Sequence, residues 1–315
     1  MRPLATRASV LLLSATLLTA CSSSDSGGGD PKSEPQIGAV PKLLRTAGLS
    51  YPLDTYETTH EQQQQLQKAQ NRLIGQCMKR FGFSYEPPPP VESGRGSGSD
   101  DSRYGLTDAD KAARHGYDTR GGVEPPAKPA APSLSATGQL ALSGPDAKGG
   151  SAQPMSWEEA QGVDSGKVVN GQKVPIGGCN RESYLKLYAP KKGAVDVMFV
   201  FNVTADAFTR AREDSRVAEA FKAWSACMAE KGYKTDDPVS PQEDLGIASD
   251  TYGSPKAIAA AKQDVACKDR ANLVGVWYTV ETAYQQRNIE QNAETLNQAK
   301  TELGDRLKLA TTLNG

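Results

Sequence analysis

Across 315 residues, 36 Lys and Arg stand against 37 Asp and Glu, with two histidines and a net charge of −1. That length allows one or two domains with a real core, and the near-neutral charge excludes a protein that works by neutralising nucleic-acid phosphates. Hydrophobic content of 37%, aromatics at 6% and a mean hydropathy of −0.54 lie on the polar side of globular, so part of the chain is expected to be unstructured.

Residues 1–20 read as a secretory signal: Arg2 and Arg7, then an apolar run from Ala8 to Ala20 ending in small residues. The run is too short to span roughly 30 Å of hydrocarbon, and so is the apolar stretch Val195–Val203 with its Asp196. Leu18-Thr19-Ala20-Cys21 resembles the lipobox of bacterial lipoproteins. The resemblance implies a diacylglycerol thioether on the Cys21 sulfur, with a further acyl chain such as palmitate on its amine. Two or three chains anchor stably where one is marginal. The expected location is therefore the extracytoplasmic face of the cell membrane. Loss of Arg2 and Arg7 with the leader moves the net charge from −1 to −3, which gives no electrostatic preference for an anionic surface.

Residues 21–50 read as a flexible tether, first Ser/Gly and then Pro31, Pro35 and Pro41, ahead of one helical domain over 51–315. A helix is expected from Thr55 to about Arg80, with Leu66, Ala69, Leu73, Ile74, Cys77 and Met78 on one face and Gly82 as its stop. The insert 86–175, rich in Pro, Gly, Ala and Ser, is expected to be mostly loop or disordered. Within it, one short helix is expected after Thr107 and one helical turn near Leu134–Leu142. Helices resume at Cys179–Tyr188, at Val195–Arg212 and at Asp214–Lys231, the last with Val217, Phe221, Trp224 and Met228 on one face. Ser254-Pro255 opens a helical pattern that continues almost to the C-terminus.

Two segments align without gaps. Gln76-Cys-Met-Lys-Arg-Phe-Gly-Phe83 matches Ala226-Cys-Met-Ala-Glu-Lys-Gly-Tyr233, and each is followed by a second cysteine that is expected to open a helix with Leu six residues on, Cys179 with Leu185 and Cys267 with Leu273. The chain thus reads as mainly α, built from duplicated disulfide-linked hairpins: repeat one over 54–190, repeat two over 193–285, then a C-terminal helix over 286–313. Outside the cytoplasm four cysteines favour disulfides in one of three connectivities. The repeat favours Cys77–Cys179 with Cys227–Cys267, and its rival is Cys77–Cys227 with Cys179–Cys267. No Cys-x-x-Cys motif or nearby histidine suggests a metal or thiol-exchange site.

The Cys-Met-x-x-x-Gly-aromatic unit with a later cysteine helix is similar to a group of actinobacterial lipoproteins and secreted proteins. Tyr104-Gly-Leu-Thr-Asp108, Gly116-Tyr117 and Gly177-Gly-Cys179 add to the likeness, which spans most of residues 54–285. It implies location and fold, with no established activity attached.

The chain shows no Gly-x-Ser-x-Gly elbow, His-Glu-x-x-His, phosphate loop or EF-hand spacing. His115 reads as a helix-end residue complementing the dipole and His60 as solvated. A carboxylate pair for sugar-chain hydrolysis would be set by the fold; Glu158-Glu159, Glu182 and Asp236-Asp237 are available. Trp224, Trp277, Tyr278 and Tyr284 could line a groove, though their helical spacing favours a core. An unbroken helix over the 59 residues 255–313 would span about 88 Å, far beyond the roughly 16–17 Å radius of gyration of a domain of this size, so it must break or project. Ile289, Ala293, Leu296, Ala299, Leu303, Leu307 and Ala310 form a seam that wants a partner: the Thr55–Arg80 helix, or another chain. The reading is a membrane-anchored, non-catalytic interaction or scaffold module without cofactor or metal. Its rivals are a binder of small ligands or wall fragments and a wall-acting hydrolase.

Overall fold

The computed structural model describes residues 33–89, 102–118, 132–145 and 153–315. The expected leader, the lipobox with Cys21, and parts of the insert (90–101, 119–131 and 146–152) lie outside the described residues. The described chain is mainly helical. Thr59 starts α1 (His60–Arg80) through a capping box, its hydroxyl accepting from the Gln62 N–H while the Gln62 amide oxygen accepts from the Thr59 N–H. The short helices α2 (Ala109–His115), α3 (Ala136–Ser143) and α4 (Trp157–Ala160) are each capped by an Asp or Ser side chain. A small antiparallel hairpin follows, β1 (Val168–Val169) on β2 (Gln172–Lys173), with Val168 opposite Lys173. Then come α5 (Gly178–Tyr188), α6 (Phe199–Glu213), α7 (Ser215–Ala229), α8 (Pro241–Asp244), α9 (Pro255–Arg270), α10 (Leu273–Gln291) and α11 (Ala293–Asn314).

The duplicated unit is visible in its first arms and departs in its second: Cys179 opens α5, whereas Cys267, expected to open a helix, stands near the end of α9. α1 and α7 end alike: the Phe83 N–H reaches back to the Met78 carbonyl at 3.0 Å, and the Tyr233 N–H to the Met228 carbonyl at 3.1 Å. Both closures require a left-handed residue just past the helix, supplied by Gly82 at φ 81° and Gly232 at φ 83°. Cys77 and Cys179 stand at disulfide distance, as do Cys227 and Cys267, each pair with 5.6 Å between Cα atoms. One core forms around the first pair (Ile74, Met78, Phe81, Leu142, Val174) and a larger one around the second (Val217, Trp224, Met228, Leu273, Trp277).

The tether ends earlier than expected. The compact unit begins at Pro35, and residues 35–50 lie against it, with Ile37, Leu43 and Leu49 packed on the larger core and Thr46 buried. The Leu43 N–H donates to the Asn272 side chain, whose own amide donates to the Pro41 carbonyl. Pro35 and Pro41, which signalled a linker, lie in a strap whose apolar residues supply what a free tether lacks.

The insert also departs from expectation, because its described parts are packed. Residues 102–118 close on repeat two: Leu106, Ala112 and Tyr117 join Ala257, Ala260, Ala261 and Val265 in one cluster. Residues 132–145 and the hairpin cover repeat one. Here a glycine marks close approach. A Cβ on Gly105 would lie 2.3 Å from the Pro238 carbonyl and 2.8 Å from the Lys268 ammonium, so only hydrogen fits.

The long C-terminal pattern breaks twice, as its length demanded. Asn272 adopts the left-handed conformation between α9 and α10, and Asn292 separates α10 from α11. α11 folds back along α1. Leu296 and Ala310 are buried, and Leu303 and Leu307 pack with Leu66, Ala69 and Leu187. From Leu303 onward the seam therefore meets α1 of its own chain, and Leu296 is buried within the chain. Ile289 is half-buried and Ala293 exposed.

Candidate functional site

The first buried polar centre joins four segments. Arg103 lies outside any helix, its Nε donating to both Glu281 oxygens at 3.0 and 3.1 Å, with a further contact from Nη2. The Tyr104 hydroxyl donates to Glu281 at 2.8 Å, and the Tyr51 hydroxyl donates to Tyr104 at 3.1 Å. Gln285 donates to Glu281 one turn along α10 while accepting the Leu53 N–H. Cation–π contacts finish the cage, with the guanidinium carbon 4.5 Å from the Tyr51 ring centre and 5.5 Å from that of Phe208. Burial alone would lower the Arg103 pKa, but the hydrogen bonds and charge of Glu281 reverse that and hold it above its ordinary value. Burial, with Glu281 beside it, pushes the Tyr104 phenol up, so it stays a neutral donor.

The second centre is the pair Asp264 and Lys268, one turn apart on α9 and both fully buried. Lys268 Nζ donates to Asp264 at 3.1 Å and to the Leu106 carbonyl at 2.9 Å, and the Trp224 indole N–H donates to the other Asp264 oxygen at 2.9 Å. Burial raises the Asp264 carboxyl to about 6 against the pull of Lys268 and Trp224, and burial lowers the Lys268 ammonium. Beside them the Tyr117 hydroxyl is buried without a hydrogen-bond partner.

The acids offered as a hydrolase pair are dispersed. Glu158 accepts the Lys192 N–H from 34 residues on, and Glu159 accepts the Met155 N–H within a local turn. Glu182 is buried, held by Arg80 at 2.6 Å and Lys186 at 2.6 Å; burial pushes its carboxyl up, and those two cations bring it net below the ordinary range. Asp237 accepts the Val239 N–H and pairs with Arg212, while Asp236 is exposed on the same turn. Of the histidines, His60 bonds the Gln64 amide on α1 and His115 ends α2.

The aromatics are core and not groove. Trp277 stacks on Tyr104 at 4.6 Å and Phe208 at 5.2 Å, Trp224 is buried against Asp264, and Tyr284 reaches Asp214. Tyr278 is the exception in part, its hydroxyl donating to the Ser50 carbonyl on an exposed flank. Among the described residues no group of three or more His, Cys, Asp or Glu could hold a metal ion, and no helix is long and apolar enough to cross a membrane.

One concavity is large. An open groove of about 1780 Å³ runs along α1, lined by Gln64, Gln65, Lys68, Arg72, Phe83 and Tyr85. Its lining mixes amides and aromatic rings with the cations Lys68, Arg72 and Lys79 and the acids Glu61 and Glu86.

Sequence reasoning missed both buried centres. Asp264 and Lys268 carried a local signal, a charged pair one turn apart on the stripe that also holds Ala257, Ala260, Ala261 and Cys267. Arg103 and Glu281 carried none, being 178 residues apart. No family model, no curated protein and no solved structure matches the chain.

Proposed function

We propose that this chain is a lipid-anchored protein of the extracytoplasmic membrane face, acting as a non-catalytic interaction or scaffold module. The observation that carries the reading is the Leu18-Thr19-Ala20-Cys21 motif and Ser/Gly run ahead of a body whose remaining four cysteines pair within their own repeats. Such a body keeps its shape where thiols are oxidised. The buried acids support it: Glu182, Asp264 and Glu281 each face a cation of the same chain, Arg80 on α1, Lys268 on the same helix as Asp264 and Arg103 in the insert.

The test is expression in a bacterial host with an alkyne fatty acid. The expected result is label in the membrane fraction, lost in Cys21→Ala, with no free thiols in the body. Unlabelled protein in the cytosol with reactive thiols overturns the reading, as does turnover of labelled wall polymer. The groove on α1 favours a second reading, a binder of soluble wall fragments. That reading expects a melting shift with muropeptides that Lys68→Ala/Arg72→Ala abolishes.

A further inference from the structure

The two repeats carry the same short motif around their cysteines. Each first arm ends in Cys-Met with a Gly-aromatic stop, and each second cysteine has Leu six residues later, although Cys179 opens α5 while Cys267 stands near the end of α9. Apolar chemistry of that kind does not say which second arm belongs to which first arm. Charge does. Three residues after the first cysteine stands Arg80 in repeat one and Glu230 in repeat two; three after the second cysteine stands Glu182 in repeat one and Arg270 in repeat two. Arg80 grips Glu182 through both terminal nitrogens, at 3.0 and 2.6 Å. Arg270 grips Glu230 in the same manner, at 2.6 and 3.2 Å. One ion-pair site thus occurs twice, at equivalent positions beside each half-cystine pair, with its charges exchanged.

We propose that this exchange is a pairing code that steers oxidative folding away from the crossed isomer, Cys77–Cys267 with Cys179–Cys227. In that isomer Arg80 would face Arg270 and Glu182 would face Glu230, two like-charge contacts beside the forming bridges. The code is silent about the third isomer, Cys77–Cys227 with Cys179–Cys267, which sets opposite charges together. Each bridge forms when two thiols give up two electrons and two protons to an external disulfide, which leaves as two thiols. The charges bias which thiolate meets which mixed disulfide before the cores close.

The test reverses the exposed pair. Side chains of Arg270 and Glu230 are 64% and 52% accessible, so Glu230→Arg/Arg270→Glu keeps the native attraction in the opposite sense. It also turns both crossed contacts attractive and both contacts of the third isomer repulsive. The full chain, carrying Cys21→Ser in every sample, is reduced, unfolded and refolded in a glutathione buffer. Samples are alkylated at intervals and the bridged peptides counted. The ratio of crossed to third isomer is expected to rise roughly threefold or more over the parent, with the native melting temperature unchanged. Glu230→Gln/Arg270→Gln is expected to fall between them. About 1 M salt, where the screening length is about 3 Å, should move the parent ratio toward the neutral variant. Ratios indifferent to both reversal and salt overturn the proposal, and the salt series on the parent decides it even if the reversed variant fails to fold.

Discussion

Arg103 and Glu281 meet across 178 residues of chain, the guanidinium 16% accessible and the carboxylate wholly buried, and their contact holds the insert on α10. The partners are unequal. Arg103 without Glu281 could turn to water, whereas Glu281 without Arg103 is a buried charge with only Tyr104 and Gln285 as donors. Removing the cation from a buried pair costs about 3–5 kcal/mol. Arg103→Met should therefore lower stability by that order and loosen residues 102–118, read as faster hydrogen exchange there. Arg103→Lys should recover part, since an ammonium cannot fork onto both oxygens.

Asp264 and Lys268 offer a sharper contrast. Asp264→Asn alone leaves a buried ammonium facing an amide and the Leu106 carbonyl, and a loss of about 3–5 kcal/mol is expected. Adding Lys268→Met should restore much of it, because the Trp224 indole keeps an acceptor and no charge stays buried. Chemical denaturation of the single and double variants checks the order.

The same pair sets a pH dependence. Asp264 titrates near 6 in the fold against an ordinary value of 3.8, so between those values the folded state holds a proton that the unfolded chain has lost. Stability from this group accordingly grows as pH falls through 6 and shrinks as pH rises. Relative to Asp264→Asn, which keeps Lys268 and cannot titrate at position 264, the parent should gain stability from pH 7 to pH 5. Melting curves across that range read it, and a parallel pair of curves refutes it. Glu182, held below its ordinary range by Arg80 and Lys186 against the lift of burial, acts oppositely, its contribution lost as pH drops below the carboxylate range.

How much of this was legible in the sequence depends on how local each signal was. The helix ends at Gly82 and Gly232, the cap at Ser254 and the repeat are written in short windows, and hydrogen bonds within a turn or two decide them; the first helix, expected from Thr55, starts only at His60 behind its Thr59 cap. The strap at 35–50 and the packed insert were misread because Pro and Gly signal freedom only when nothing lies beside them. Pro41 and Gly105 have partners more than 130 residues away, Asn272 and Pro238. The first-turn place of Glu158 and Glu159 and the turn at Asp236-Asp237 were local signals, whereas the role of a buried carboxylate is set by the cation facing it. For Glu182 that cation is Arg80, 102 residues earlier.

The two cysteine pairs close loops of unequal length, with separations of 102 and 40 residues. In the loop-entropy account, losing the longer costs about 4.7 kcal/mol and the shorter about 3.9 kcal/mol. Cys77→Ala/Cys179→Ala should thus lower the denaturation midpoint at least as much as Cys227→Ala/Cys267→Ala. Packing reinforces the order, because repeat one keeps the smaller core.

The α11 seam separates an internal brace from an interface. Leu296 is fully buried, the Gln65 amide donates to Thr311 at 2.8 Å, and Asn314 donates back to the Gln65 carbonyl at 3.0 Å, so polar contacts lock the last turns of α11 to α1. A brace predicts that Leu296→Ala costs about 2–5 kcal/mol by leaving a cavity, with the mass in solution unchanged. Truncation after Asn292 should do more, uncovering Leu66, Ala69 and Leu187 together and producing aggregation or a loosened fold. An interface predicts the reverse: a parent dimer, and a Leu296→Ala protein of unchanged stability that falls apart to monomers. Light scattering beside denaturation curves separates the two, and the burial of Leu296 and Ala310 within one chain favours the brace.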